Sequence, residues 1–334
     1  AVACAASTPG ARTSTTSSAT PAALTSNVQR ADYAGSKACE GCHADLYDSF
    51  MRSPMHNMTR DADAARSDAP FDGTTFRFKD DSARMESRGG RKYFRIHSTR
   101  DGDGLYRVTK IIGGHYREDF AGAKVADYDA APESRDELVM PVSWMKGTRT
   151  LRYKGYSVMV KERPALHAGP TWNKTCVLCH NTAPYLDSML GGLGGHGVYQ
   201  GEVVEPLLPR ARRWTYAVTD EAALGRALAA EMDRLGGRAG SKNARSSLDE
   251  AISTVRYRLD ASHLVEVGIG CESCHLGSLA HTQDPRVKPS MLPVAPFVRV
   301  GPDGRAPTRA QTITRACARC HQVLFTGYEF AWEG

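Results

Sequence analysis

The chain has 334 residues and a formal net charge of +6, from 43 Lys and Arg against 37 Asp and Glu. The basic residues are dispersed, which argues against a nucleic-acid partner, and no apolar run is long enough to cross a membrane as a helix. With 8% aromatic residues and 31 Gly, the composition describes a loop-rich chain of one large or two ordinary domains.

The opening Ala1-Val2-Ala3-Cys4 reads as the end of a bacterial export signal, with small residues ahead of a cysteine. Cys4 is the candidate lipid-bearing residue; the alternative is a signal remnant with Cys4 unmodified. Residues 5–27 are a Ser/Thr/Ala/Pro tether with nothing to bury. Residues 1–30 are therefore expected as a lipoprotein-type N-terminus and flexible linker, and 31–334 as the folded domain. A short helix is expected within Lys37 to Arg60, where Ala44 to Met51 keeps helical spacing of apolar residues.

From Phe71 the pattern becomes that of strands. Thr75 to Phe78, Arg84 to Ser87, Tyr93 to His97 and Leu105 to Ile112 alternate or run apolar, separated by Asp80-Asp81, Gly89-Gly90 and Asp101 to Gly104. This predicts a β-meander over 70–160, with further strands at Leu138 to Trp144 and Thr150 to Val160. Asp220 to Leu235 is the clearest helix, stopped by Gly236-Gly237, and Leu248 to Leu259 is a second. Pro285 to Arg309 is Pro-rich and expected as extended chain. Gly192 to Gly197 matches G-x-G-x-x-G without a preceding strand, so it reads as a loop, and the Arg210 to Arg213 cluster reads as a solvated one.

Four pentapeptides stand out: Cys39-Glu-Gly-Cys42-His43, Cys176-Val-Leu-Cys179-His180, Cys271-Glu-Ser-Cys274-His275 and Cys317-Ala-Arg-Cys320-His321. Cys-x-x-Cys-His is the c-type haem attachment pattern, in which two thiols bond the haem and the adjacent His meets the iron. A zinc ribbon needs about 15–20 residues between cysteine pairs, far fewer than separate these, and no His after each pair. Disulfides would leave the four His unexplained. Four covalent haems, with His43, His180, His275 and His321 as proximal ligands, are expected to replace part of a side-chain core.

Seven other histidines could supply the far ligand of each iron, the choice that separates electron transfer from catalysis. His281 ranks first, six residues past His275. His56 follows, with Met55 and Met58 as rival ligands, then His196 in its glycine loop and His263 just before Cys271. His97, His115 and His167 rank lower, the first two because strand positions account for them.

The chain resembles the cytochrome c-554-like multihaem cytochromes, some of which are fused to tetratricopeptide repeats. The likeness runs from about Lys37 to the end and rests on Ala38 to Tyr47, Ile111 to Gly114, Met140 to Trp144, Trp172 to Cys176 and Gly268 to His275 with His281. That family usually reads Cys-His-Gly-Pro after the third motif; here Leu276-Gly277 replaces Gly-Pro. No tetratricopeptide pattern is visible. The resemblance implies closely packed haems in an exported electron-transfer protein. Little sequence follows His321, so the natural protein is expected to continue beyond Gly334 or to be covered there by a partner.

The expected fold is α+β and loop-rich, with short helices around four haems and a β-meander between motifs 1 and 2. The leading function is electron carriage between a membrane donor and a periplasmic or extracellular acceptor. Redox proteins, a membrane surface reached through a lipid anchor, and a homo- or hetero-oligomer sharing haem contacts are the expected partners. The alternatives are an oxidoreductase with one open iron acting on a small nitrogen or sulfur compound, and a haem-relay subunit of a larger complex or filament.

Overall fold

A computed structural model describes residues 23–154, 165–193, 216–237, 244–300 and 307–321. Cys4, His196, the Arg210 to Arg213 cluster and the second half of the strand expected at Thr150 to Val160 lie outside the described residues.

Nine strands form one antiparallel sheet: β1 (Thr59–Asp61), β2 (Asp72–Phe78), β3 (Asp81–Arg88), β4 (Arg91–Ser98), β5 (Gly102–Gly113), β6 (Arg117–Val125), β7 (Pro132–Val139), β8 (Val142–Met145) and β9 (Thr150–Tyr153). Their order is β2-β3-β4-β5-β6-β8-β9, with β1 on β5 and β7 on β6. The β3–β4 turn uses Gly89 and Gly90, both at positive φ (56° and 78°). That is the backbone a two-residue hairpin needs and side chains resist.

In β4, Phe94 and Ile96 enter one core while Tyr93 packs with Leu105 and Val125 on the opposite face. Phe71 meets Phe94 and Phe120 edge-on at 5.7 and 5.3 Å, a favourable ring geometry. Phe78 of β2 stacks on Tyr153 of β9 at 4.4 Å, so the two ends of the sheet curl together and it is nearly closed.

The sheet differs from the expected meander in three respects. It begins at Thr59 through β1, earlier than residue 70. β6 went unpredicted because it buries Glu118 and Asp119 beside Phe120 and Ala121, which hides its apolar pattern. The single strand expected over 138–144 is two: β7 and β8 pair with different parts of β6. The break falls at Met140-Pro141, where Pro has no amide hydrogen for a ladder.

The other elements are α1 (Ala44–Met51), α2 (Trp172–Thr175), α3 (Val177–His180), α4 (Tyr185–Leu193), α5 (Glu221–Arg234), α6 (Ala244–Arg258), α7 (Glu272–His275), α8 (Leu279–Gln283) and α9 (Arg309–His321), with β10 (Tyr216–Val218) paired to β11 (Val298–Val300). Asp220 caps α5 by accepting from the Ala223 amide at 2.9 Å, satisfying a donor at the helix start. Leu186 and Leu190 of α4, Leu228 of α5 and Val255 of α6 share one core. No helix among the described residues is long and apolar enough to cross a membrane.

A buried ion pair joins sheet and helices. Lys110 of β5 meets Glu137 of β7 at 3.0 Å and lies over the ring of Trp172, which is fully buried in α2. Thr59 Oγ1 donates to the His180 carbonyl at 2.9 Å, tying β1 to the second Cys-x-x-Cys-His motif.

Candidate metal centres

Each of the first three motifs folds as one helical turn. The amide of His43 bonds Cys39 O at 2.9 Å, that of His180 bonds Cys176 O at 3.2 Å, and that of His275 bonds Cys271 O at 3.0 Å. The fourth occupies the last turns of α9. A turn of helix sets residues three and four apart on one face, so both thiols and the histidine of each motif point to the same side. All eight motif cysteines are free thiols in the polypeptide.

The motifs are far apart in sequence but contiguous in space. The Cys39 and Cys271 thiols hydrogen-bond each other, joining motifs 1 and 3. Arg319 of motif 4 reaches the Cys274 carbonyl of motif 3 at 3.4 Å. The Cys179 and Cys320 thiols pair motif 2 with motif 4, and Cys179 Sγ also contacts Arg319 O at 3.7 Å. Motif 3 also meets the segment after motif 2, where Ser273 Oγ lies 2.9 Å from Thr182 Oγ1, so motif 3 contacts segments of all three others.

Two buried or half-buried glutamates hold the first joint. Glu272, inside motif 3, accepts the amides of Ala34 (3.0 Å), Gly35 (2.7 Å) and Ser278 (2.8 Å). Glu266 accepts the amide and hydroxyl of Ser36 at 3.1 and 2.5 Å. A Cβ at Gly270 would lie 1.4 Å from Glu266 Oε1, so a side chain there would push that carboxylate off Ser36. Sequence reasoning missed these carboxylates because their partners are backbone amides more than 200 residues away.

His281 faces His43: the ring centroids are 6.3 Å apart and the planes 27° from parallel. Its Nδ1 is 2.9 Å from the Val287 carbonyl, which leaves Nε2 open, the arrangement that orients metal-ligating imidazoles. His56 has the same form, with Nδ1 3.3 Å from the carbonyl of Ile269, just ahead of motif 3. His263 Nδ1 lies 3.0 Å from Asp260. The lower-ranked His97 and His167 pair through Nδ1 with Asp103 and Asp101 at the β4–β5 turn, and His115 packs against Tyr116.

Charge is distributed unevenly over these groups. A hydrogen bond from Cys39 lowers the Cys271 thiol to about 6, while Cys39 itself is raised. Burial lowers His275, helped by the facing His281 and His43. Burial also lowers His180, with Lys154 adding to the effect and Asp119 opposing it.

These residues fit c-type haem. α1 buries none of its side chains, and Leu46 is 72% exposed beside Cys42 and His43, so motif 1 has apolar surface that a porphyrin would cover. His180 Nδ1 is buried without a polypeptide partner. Among the described residues, no three His, Cys, Asp or Glu converge as a metal cage. A porphyrin supplies four equatorial nitrogens, so an iron held in one needs only one or two protein ligands.

No family model matches the chain, and no curated protein matches it. A solved structure of an outer cell wall cytochrome, OcwA, is similar at 15% identity, over 76% of this chain and 34% of that one, with a TM-score of 0.33. The chain thus spans about a third of that cytochrome's length.

Proposed function

We propose that the chain is a c-type cytochrome that holds four haems and relays electrons among them. The observation that carries this reading is the run of contacts from Cys39 to Cys271, from Cys274 to Arg319 and from Cys320 to Cys179. Thioether bonds at those cysteines put neighbouring porphyrins close together, and six-coordinate irons pass electrons without binding substrate.

His43, His180, His275 and His321 are the proximal ligands in this reading. His281 serves the first haem opposite His43, and His56, tied to Ile269 O, serves the third. His263 and His196 are the candidates for the other two. The protein is exported and held at a bacterial membrane by lipid on Cys4, and exchanges electrons with redox proteins on either side.

A pyridine haemochrome assay on protein from a host with c-type maturation tests the count. Four haems per chain are expected; a value well below four overturns the relay. Fast stoichiometric carbon monoxide binding at one haem of the reduced protein would replace the carrier reading with that of an enzyme having an open iron.

A further inference from the structure

Asp187 of α4 and Glu231 of α5 bind the same guanidinium nitrogen. Arg234 Nη2 donates to Asp187 Oδ2 at 2.6 Å and to Glu231 Oε1, while Arg234 Nε also reaches Glu231 at 3.0 Å. The Asp187 side chain is 0% exposed and that of Glu231 is 4% exposed. Asp187 Oδ1 is buried with no hydrogen-bond partner. Two carboxylates and one guanidinium leave a buried charge of −1 when both acids are ionised, which a dry interior disfavours. One shared proton removes that charge and gives the pair an O–H donor.

We propose that Asp187 and Glu231 form a proton-exchange site that takes up one proton from water when an electron reaches the haems of motifs 2 and 4, and returns it when the electron leaves. This rests on the four-haem reading above. The electron comes from a one-electron donor and the proton from solvent. One carboxylate O–H bond forms on reduction and breaks on oxidation, so the net charge of the region is unchanged.

The placement favours coupling. α4 begins just after motif 2, and Tyr185, two residues before Asp187, lies under the Arg319 guanidinium of motif 4 at 5.7 Å. The Tyr185 amide donates to the hydroxyl of Tyr33, which senses the charges of Arg319, Glu272 and Asp187 together. Burial, followed by the hydrogen bond and like charge of Glu231, pushes the Asp187 carboxyl well up against the pull of Arg234. Arg234 also bonds the His263 carbonyl at 2.8 Å and faces a cavity of about 530 Å³ lined by Arg135, Asp233, Arg258 and Asp260. Neither carboxylate lines that cavity; Arg234 stands between it and the pair.

Proton uptake on chemical reduction of the holoprotein, read with a pH-indicator dye, is measured beside haem midpoint potentials across pH and a redox-difference infrared spectrum. In the unmodified protein the potential of one haem pair falls as pH rises, and a carboxylic C=O band changes with redox state. Asp187→Asn removes both, with Glu231→Gln as the second variant should the first fail to fold. Persistence of both in a folded Asp187→Asn protein overturns the site. Haems present with pH-independent potentials overturn it alone; absence of haem overturns the relay as well.

Discussion

The His43 and His281 rings lie 27° from parallel with centroids 6.3 Å apart, although one residue immediately precedes α1 and the other sits in α8. His281 Nδ1 is 2.9 Å from the Val287 carbonyl, so its Nε2 is the nitrogen left to act beside His43. The contact crosses from motif 1 to the segment after motif 3, so it reports the same joint as Cys39 and Cys271.

On the four-haem proposal, replacing His281 by Ala should open one iron. Carbon monoxide titration of the reduced variant is expected to show one fast stoichiometric site where the parent shows none, with the haem count unchanged. His281→Met should keep that iron six-coordinate and raise its potential, since a thioether ligand favours the reduced state. A carbon monoxide titration of His281→Ala that matches the parent removes His281 as a ligand.

The inequality of Cys39 and Cys271 is testable in protein made without haem maturation. The hydrogen bond from Cys39 lowers the Cys271 thiol and raises that of Cys39, so Cys271 is expected to carry more of the thiolate at neutral pH. Iodoacetamide at that pH should label Cys271 well before Cys39, read by peptide mass spectrometry. Cys39→Ser keeps a donor and should keep the bias; Cys39→Ala should slow labelling of Cys271 several-fold.

Which parts of this were readable in advance follows from the range of the forces involved. The motifs, the helix over Asp220 to Leu235 and the Gly89-Gly90 turn are local, and each was legible within a few residues. β6 was not, because its buried Glu118 and Asp119 are satisfied by Arg60, Lys154 and Ser143 from other segments. That His281 faces His43 was not legible, since the two are brought together from opposite ends of the chain. The same holds for Glu272, which looks like any polar residue inside a motif.

Acid should unfold the sheet through Asp81 and Asp119. Burial alone would raise both, but the amides of Thr99 and Leu166 outweigh it at Asp81, and Lys154 and Arg117 outweigh it at Asp119. A carboxyl with a depressed folded-state pKa contributes stability above its unfolded value near 4 and loses it as pH falls through the folded value. These two carboxylates should therefore add a decline below about pH 4, beneath the loss that the lowered His180 and His275 contribute as pH falls through about 6.5. Asp119→Asn should lower stability by about 3 kcal/mol at neutral pH, because Lys154 loses its buried partner, and should flatten the acid decline.

Glu272 should matter more than any other residue of its motif that touches no haem. Its carboxylate accepts three amides, two from residues 34 and 35 and one from Ser278, and so fixes the approach of motif 1 to motif 3. Glu272→Ala leaves those donors buried without an acceptor, at about 1–3 kcal/mol each where water cannot enter. A drop in unfolding free energy of about 3 kcal/mol or more is expected, together, on the four-haem proposal, with altered spectra at haems 1 and 3. Glu272→Gln retains one acceptor oxygen and should recover part of the loss. The control is Glu40→Ala in motif 1: Glu40 pairs only with Lys37 in the solvated i,i+3 geometry, so its removal should shift stability by less than about 0.5 kcal/mol. Equal effects at the two positions would remove Glu272 from its place as the clamp between the motifs.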